Sequence, residues 1–500
     1  MIKVVIGSNT YLLAGELEAS FQKYRENVIG YNQYFMSPYG KKKMVYADWT
    51  ASGRLYRPIE EKITNDCGPL IGNTHTESNI TGTTMTKAYK AAKEIIRKHV
   101  NADKNDILIM DGSGMTSIVN KLARLLGIKV PKNLSHHIDL NEEDRPIIFV
   151  SHMEHHSNYL TWMETVADVV CIEPSRNGEI NVEELEQLLM KYNHRKLKIG
   201  SFTACSNVTG IMIPYHKIAK KMHEFNGYCF IDFSASAPYV DINMHPNDPA
   251  EKLDAVMFSP HKFLGGPGTC GVLIMDQSLL KNETPDNPGG GTVLWTNPWG
   301  DYMYSPNRED REDGGTPGFL QAIKTALCIK LKENMGINKM LEREKELVQL
   351  LMSELERIEG VHLFEPERWD RLGIISFYVD EIHHHLFVKL LNDRFGIQAR
   401  GGCSCAGPYG HYLLEISKEK SKTIADNITK GDVFNKPGWI RISVHPIMTN
   451  AEMYQIIHAI KLIIANSSEW KLDYSYDPEK DDFIHFSNPK FCLEQLYEFD

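Results

Sequence analysis

One pattern constrains this chain more than any other. Between about residues 44 and 330, short apolar runs rich in β-forming side chains take turns with amphipathic helical patterns. The runs are DILIM (106–110), PIIFV (146–150), VVCI (169–172), KIGSFTA (198–204), YCFIDF (228–233) and DAVMF (254–258). Helical patterns fall between several of them, as in MTSIVNKLARLLG (115–127) and VEELEQLLMKY (182–192). In the first of these, Ile118, Val119, Leu122, Leu125 and Leu126 share one face, and Gly127 is placed to end the helix. Strand–helix alternation of this kind predicts an α/β fold: a mostly parallel sheet with helices on both faces.

The flanking regions read differently. Residues 1–43 are polar and helical in pattern, end in Lys41-Lys42-Lys43, and are taken as an N-terminal arm before a large α/β domain over 44–330. After 330 the order becomes mixed. A long helix over 338–358 leads to a strand, GIISFYV (373–379), and then a helix over 383–395 ended by Gly396. A Gly/Cys loop (401–410), a polar insert (415–436) and a strand WIRISV (439–444) follow. This order predicts a smaller α+β domain over 331–467, with an acidic, aromatic extension over 468–500 packed on the surface. The sequence holds no internal repeat and no low-complexity tract.

A length of 500 residues suggests two or three structural units. The formal net charge of −10 argues against a nucleic-acid footprint, which would be basic. No apolar stretch reaches the roughly 18 residues of a membrane helix. The opening MIKVVIGSNTYLLAGELEAS lacks a basic n-region and is interrupted by Ser8, Asn9 and Thr10, so no signal peptide is expected. Nine cysteines, an odd number spread along a long chain, read as free thiols of a cytoplasmic protein.

The chemistry-bearing residues share a position. Gly112–Thr116 follow DILIM, His152–Asn158 follow PIIFV, Asn207 follows KIGSFTA, Asp232 closes YCFID, and Ser259–Lys262 follow DAVMF. In an open α/β sheet, ligands bind at the carboxyl ends of the strands, so these five clusters can converge on one site. In SPHKFLGGPGTCGVL (259–273), small residues allow a bulky ligand to approach the backbone. Lys262 there becomes a nucleophile if desolvation or a neighbouring positive charge lowers its pKa. His261 beside it either contributes to that or binds phosphate. Taken alone, the segment is equally a surface loop with one solvated lysine. Gly-Ser-Gly at 112–114 ahead of a helix offers backbone N–H groups to an anion, with Thr116 adding a hydroxyl, although the P-loop lysine is missing. A plain helix cap is the commoner outcome of such a motif. An aspartate closing an apolar strand, as Asp232 does, is costly to bury without a cationic partner. A protonated pyridinium would serve, and a turn cap is the other reading.

Together these motifs resemble the class V aminotransferase family, fold-type I enzymes of pyridoxal 5′-phosphate (PLP), and within it the cysteine desulfurase/selenocysteine lyase branch. The resemblance spans about residues 44–465. It implies that Lys262 is the Schiff-base lysine, with Ser259 and His261 as phosphate ligands. Gly114, Met115 and Thr116 match the phosphate-binding helix start. His155, in MEHHSN, matches the histidine stacked on the cofactor ring, Asp232 the pyridinium partner, and Asn207 an asparagine near the phenolic oxygen and the substrate. Thr316, in GGTPG, matches a threonine that reaches the phosphate of a neighbouring subunit, implying a homodimer with shared sites. Arg441, assisted by Arg400, matches the arginine that grips the α-carboxylate, a task suited to guanidinium. Cys405, in ARGGCSCAGPYG, matches the cysteine that accepts sulfur as a persulfide.

The sequence also departs from the family. Asp232-Phe233-Ser234-Ala235 stands where the family commonly has Asp-Gly-Ala-Gln, so Ser234 or water takes the place of that glutamine. The loop carries two cysteines, Cys403 and Cys405, and Trp49 alters the small-residue turn ADWTASGR (47–54). Cys405 can also be read as a structural thiol. A zinc site built on the CxC and His383-His384-His385 is outweighed by a solvated helix cap at that histidine run, so no metal is expected. The resulting expectation is a PLP enzyme acting on a small amino acid, most simply a desulfurase that passes sulfur from L-cysteine through Cys405 to an acceptor protein. An aminotransferase, lyase or epimerase without the sulfur step, and a non-catalytic scaffold of the same fold, remain open.

Overall fold

The computed structural model describes residues 15–74, 76–175, 177–487 and 497–498. The reading of the first 14 residues, including the expected absence of a signal peptide, lies outside the described residues.

The apolar runs become one seven-stranded sheet. In spatial order its strands are Asp106–Asp111, Gly271–Asp276, Ala255–Phe258, Tyr228–Asp232, Lys198–Thr203, Ile147–Ser151 and Asp168–Ile172. All pairings are parallel except those of Gly271–Asp276, which is antiparallel to both neighbours. That strand completes the sheet and went unread in the sequence. Its reversal follows from its connection. A parallel return needs a crossover of a dozen or more residues, usually a helix, whereas residues 259–270 form only a short turn and loop. The strands Ile147–Ser151, Lys198–Thr203 and Ala255–Phe258 are buried along their whole length, and Tyr228–Asp232 at all but its first residue, because helices cover both faces. This is the α/β architecture that the alternation predicted.

The helix Met115–Leu125 buries Ile118, Val119, Leu122 and Leu125. Gly127 follows at a φ of 72°, a left-handed position that suits glycine at a helix end. A second sheet, Val361–Leu363, Ile374–Val379, Trp439–Ser443 and Arg400–Gly402, is antiparallel throughout. The sequence division at 330/331 falls inside a continuous helix, Phe319–Met335, and the chain breaks at Gly336, whose φ is 82°.

The two ends depart from their sequence reading. Residues 15–43 are neither a free arm nor mainly helical. Two short helices, Glu16–Ser20 and Gln22–Arg25, precede a hairpin of Tyr34–Ser37 with Gly40–Lys43. Phe21, Tyr24 and Val28 enter the main core, and the Tyr24 hydroxyl donates to the Asn334 carbonyl at 2.6 Å. The apolar side chains of this polar segment are its anchors. The polar insert contains a helix, Lys418–Thr429. In the C-terminal extension, Tyr474–Asp477 pairs with Asp482–His485. That hairpin meets the N-terminal one, where Tyr39 donates to Asp473 at 2.7 Å and packs edge-on against His485. His383 caps its helix, as expected of that run, with its ring half-buried. Its ring stacks on Phe434, and His384 is buried where Gly438 leaves room for its ring. No helix among the described residues is long and apolar enough to cross a membrane.

Candidate active site

The carboxyl ends of the sheet strands open into a cleft of about 330 Å³ closed on its far side by the small sheet. It is lined by Gly114, Met115, Thr116, His155, Asn207 and Asp232 from the strand ends. Ser234, Ser259, His261 and Lys262 join them, and Arg400, Cys405 and Arg441 come from the other side. Of the residues expected to hold cofactor or substrate or to carry the chemistry, Thr316 alone stands elsewhere. It is exposed on a loop, 3.4 Å from the Asn73 side chain.

At one end of the cleft, the helix Met115–Leu125 starts without a side-chain cap. Its first N–H, from Met115, donates to Ser259 Oγ at 2.8 Å. The hydroxyls of Thr116 and Ser157 lie 2.6 Å apart. A Cβ on Gly114 would stand 3.1 Å from Ser259 Oγ and 3.4 Å from the His261 ring, so only glycine keeps this corner open. Open N–H groups at a helix N-terminus beside serine, threonine and histidine suit a phosphate. Burial holds His261 down to about 4, so its ring is neutral and can still offer one N–H.

In the middle, Lys262 ends a short 3₁₀ turn after the strand Ala255–Phe258. Burial, and secondarily the charge of Arg441, lower its pKa to about 8, against the pull of Asp232. Asp232 is 3% exposed and accepts the Ser234 N–H at 2.8 Å. Burial raises its pKa, opposed by Ser234 and by Lys262. A buried carboxylate with this little compensation suits a cationic ring nitrogen. His155 caps the helix His156–Met163 by accepting the Ser157 N–H on Nδ1 at 3.1 Å. Burial and the charge of Lys262 push it down to about 3. It is therefore neutral, with its one N–H on Nε2.

Beneath these residues lies Glu154, which the sequence reading quoted without assigning. It is fully buried and accepts from Ser151 Oγ at 2.5 Å, Asn158 Nδ2 at 2.7 Å and the Thr203 N–H at 3.0 Å. Burial raises it to about 7 against these three bonds. It ties the ends of two strands to the helix that carries His155. The signal was an acid directly after an apolar strand.

At the far end, Cys403–Ala406 form a tight turn closed by the Ala406 N–H on the Cys403 carbonyl at 3.0 Å. Both central residues are left-handed, Ser404 at φ 49° and Cys405 at φ 57°, a conformation that strains side chains other than glycine. External bonds hold it. His156 N–H donates to the Cys405 carbonyl at 2.8 Å, and its Nε2 accepts the Gly407 N–H at 2.8 Å. Asn207 Nδ2 donates to the Ser404 carbonyl at 2.7 Å. Both cysteines are exposed, but Cys405 borders the cleft and Cys403 does not line it. Arg441 is 3% exposed, donates to the Asn207 carbonyl at 3.0 Å and pairs with Asp48 at 2.9 Å. The sequence reading also missed Asp48.

A family model for class-V aminotransferases matches residues 45–456. The chain belongs to the class-V aminotransferase family. It is a PLP-dependent α/β enzyme, and the residues just described fit that cofactor's aldehyde, ring nitrogen and phosphate. A probable cysteine desulfurase of Halalkalibacterium halodurans is 27% identical over 398 residues, covering 78% of this chain and 90% of its own. One from Staphylococcus epidermidis is 28% identical over 396 residues, with the same coverage. Among solved structures, a cysteine desulfurase from Thermococcus onnurineus superposes with a TM-score of 0.70 at 20% identity, covering 89% of this chain and 98% of its own. One from Escherichia coli gives 0.66 at 20% identity, covering 91% and 99%. These structures share the fold.

Proposed function

We propose that this class-V enzyme is a cysteine desulfurase of the desulfurase/selenocysteine lyase type. The observation that carries the reading is a thiol, Cys405, fixed at the cleft wall on a clamped turn opposite Lys262. The names of the relatives support it.

PLP would be held by Lys262 at its aldehyde, by Asp232 at its ring nitrogen, and by the helix start at Gly114–Thr116 with Ser259 and His261 at its phosphate. Asn207 and Ser234 border the ring edge. When bound, the cofactor supplies an electron sink for the substrate Cα. The residues do the rest. Arg441, with Arg400, binds the α-carboxylate of L-cysteine. His155 packs on the ring with an immobile neutral imidazole. Lys262 Nζ, free as an amine above about pH 8, moves the proton at Cα. Cys405 Sγ attacks the substrate sulfur, the Cβ–S bond breaks, and its electron pair stays on carbon, which takes up a proton. The products are alanine and a Cys405 persulfide. An acceptor protein thiol would then take the outer sulfur.

Two copies would share the site, with Thr316 of each reaching the phosphate bound by the other. The eight described cysteines are free, in keeping with a reducing, cytoplasmic setting.

The test is L-cysteine turnover with a thiol reductant. Alanine and sulfide form in the wild type, and both disappear in Cys405→Ala while the visible cofactor band remains. Pyruvate or mercaptopyruvate formed in place of alanine, and unaffected by Cys405→Ala, means the chemistry is a lyase or transaminase reaction without a persulfide.

A further inference from the structure

Two thiols share the turn that borders the cleft, and the proposed function uses only one. Cys403 and Cys405 are its first and third residues, and both are exposed. Cys405 lines the cleft and Cys403 does not. A persulfide formed in turnover therefore sits on the inner thiol, whereas an acceptor protein approaches from outside.

The turn is not built to swing that sulfur outward. Its closing bond and the anchors from His156 and Asn207 hold the middle, and packing holds both ends. Before it, the strand Arg400–Gly402 pairs with Trp439–Arg441. After it, Ala406 is fully buried, and the helix Gly407–Leu413 begins at once. That helix is seated by Tyr409, also fully buried, whose hydroxyl lies 3.3 Å from that of Thr209. A Cβ on Gly410 would come within 2.7 Å of the Trp439 ring, so the helix rests directly on the strand.

Thiol exchange supplies an alternative to motion. Positive φ at both central residues, Ser404 and Cys405, is the pattern of a type I′ turn. Two residue steps reach at most roughly 7 Å when fully extended, and less in a turn. Cysteines bonded sulfur to sulfur have Cα atoms up to about 6.8 Å apart, so these two thiols are within reach of each other. A persulfide narrows the gap further, because its outer sulfur projects about 2 Å beyond Sγ. We propose that Cys403 is a relay thiol, which takes the outer sulfur from Cys405 and presents it outside the cleft to the acceptor. This rests on the persulfide chemistry of the proposed function and adds a step to it. The Cys403 thiolate attacks the outer sulfur of the Cys405 persulfide. The bond from that sulfur to Cys405 Sγ breaks, and a bond to Cys403 Sγ forms. Cys405 leaves as a thiolate and takes up the proton that Cys403 gave up. Nothing is oxidised or reduced overall, and Cys405 is ready for another substrate molecule.

The experiment mixes the full-length, cofactor-loaded protein with an equimolar amount of L-cysteine and no reductant, and quenches it at intervals with iodoacetamide. Mass spectrometry of the tryptic peptide 401–418 then locates the added sulfur. In the wild type it is expected first on Cys405 and then in comparable amount on Cys403. In Cys403→Ser it is expected on Cys405 alone. Sulfur that stays on Cys405 in the wild type at all times overturns the relay and leaves the desulfurase reading standing. So does a disulfide between the two cysteines with release of sulfide, the product if Cys403 attacks the inner sulfur instead. Neither alanine nor sulfur on either cysteine of the wild type overturns the persulfide reading itself. A second measurement compares sulfur removal by dithiothreitol with removal by a thiol fixed to a polyethylene glycol chain too large for the cleft. Cys403→Ser is expected to lower the rate with the bulky thiol, relative to dithiothreitol, at least about tenfold, because access to the attacked sulfur governs such exchange. An unchanged ratio would mean that acceptors reach Cys405 directly, and overturns the proposal.

Discussion

At the scale of single residues, the site works by removing water from charges. Lys262 shows the consequence. Its pKa of about 8 means that the amine, the form able to attack an aldehyde, becomes dominant only above that pH. The rate at which protein stripped of cofactor recaptures PLP, followed by growth of the visible band, should rise with pH up to about 8 and then level off. Lys262→Ala should capture none at any pH. The sign for stability runs the same way. The unfolded chain holds this proton up to its ordinary value near ~10.4, so cofactor-free protein gains stability between about pH 8 and there as the folded state sheds it first. A rate that keeps rising to pH 10 without levelling off would mean that the lysine is not desolvated. Such residues were legible in the sequence where chemistry is compositional. Lys262, Asp232 and Ser259 each sit at the end of an apolar run, and a charge in that place demands a partner. Asp48 and Glu154 were not legible. Their importance comes from what approaches them from 393 and 49 residues away along the chain, and no local pattern carries that.

At the scale of elements, the cysteine turn is the least self-sufficient part of the site. Two consecutive left-handed residues without glycine cost roughly 1–2 kcal/mol each, which the turn's own hydrogen bond does not return. The side chain of His156 is the one anchor that a substitution can remove without touching Cys405 or the cofactor pocket. His156→Ala leaves the Gly407 N–H without its acceptor. The turn should then relax toward right-handed backbone and carry Cys405 from the wall. Sulfide release from L-cysteine should fall about tenfold or more while the visible band keeps its intensity, a loss of about 1.4 kcal/mol of positioning. Unchanged sulfide release would show that the clamp is ornamental. The same dependence explains what sequence reading missed at this scale. Strands with apolar runs declared themselves, and so did the helix with its stripe at 118, 119, 122 and 125. Gly271–Asp276 was hidden because it directly follows a glycine-rich loop whose own chemistry drew the reading. The hairpins at both ends were hidden because each is held by the other rather than by its own pattern.

At the scale of the whole molecule, one surface exposes more apolar side chain than a soluble monomer usually does. The hairpin Val293–Thr296 with Tyr302–Tyr304 exposes Leu294, Trp295, Trp299, Tyr302 and Met303, with Trp299 84% exposed. Soluble monomers rarely leave so many large apolar groups together in water. Two glycine-rich stretches, Gly289–Gly291 and Gly314–Gly315, flank it, and Thr316 follows the second directly. The threonine expected to serve a neighbouring site thus sits beside the surface most in need of a neighbour, and outside the cleft of its own chain. The two facts have one common explanation in a second copy seated on this hairpin. Sedimentation velocity at micromolar concentration should then give a species of twice 57.0 kDa. Trp295→Ser combined with Trp299→Ser should shift it toward the single chain, since each buried indole contributes roughly 1.5–3 kcal/mol or more to such an interface. Because each copy would complete the other's phosphate site, dilution of that variant should also release cofactor, seen as fading of the visible band after gel filtration. Thr316→Ala should release cofactor without dissociating the pair. A wild type that sediments as one chain and keeps its cofactor through dilution would separate the apolar hairpin from the active site altogether.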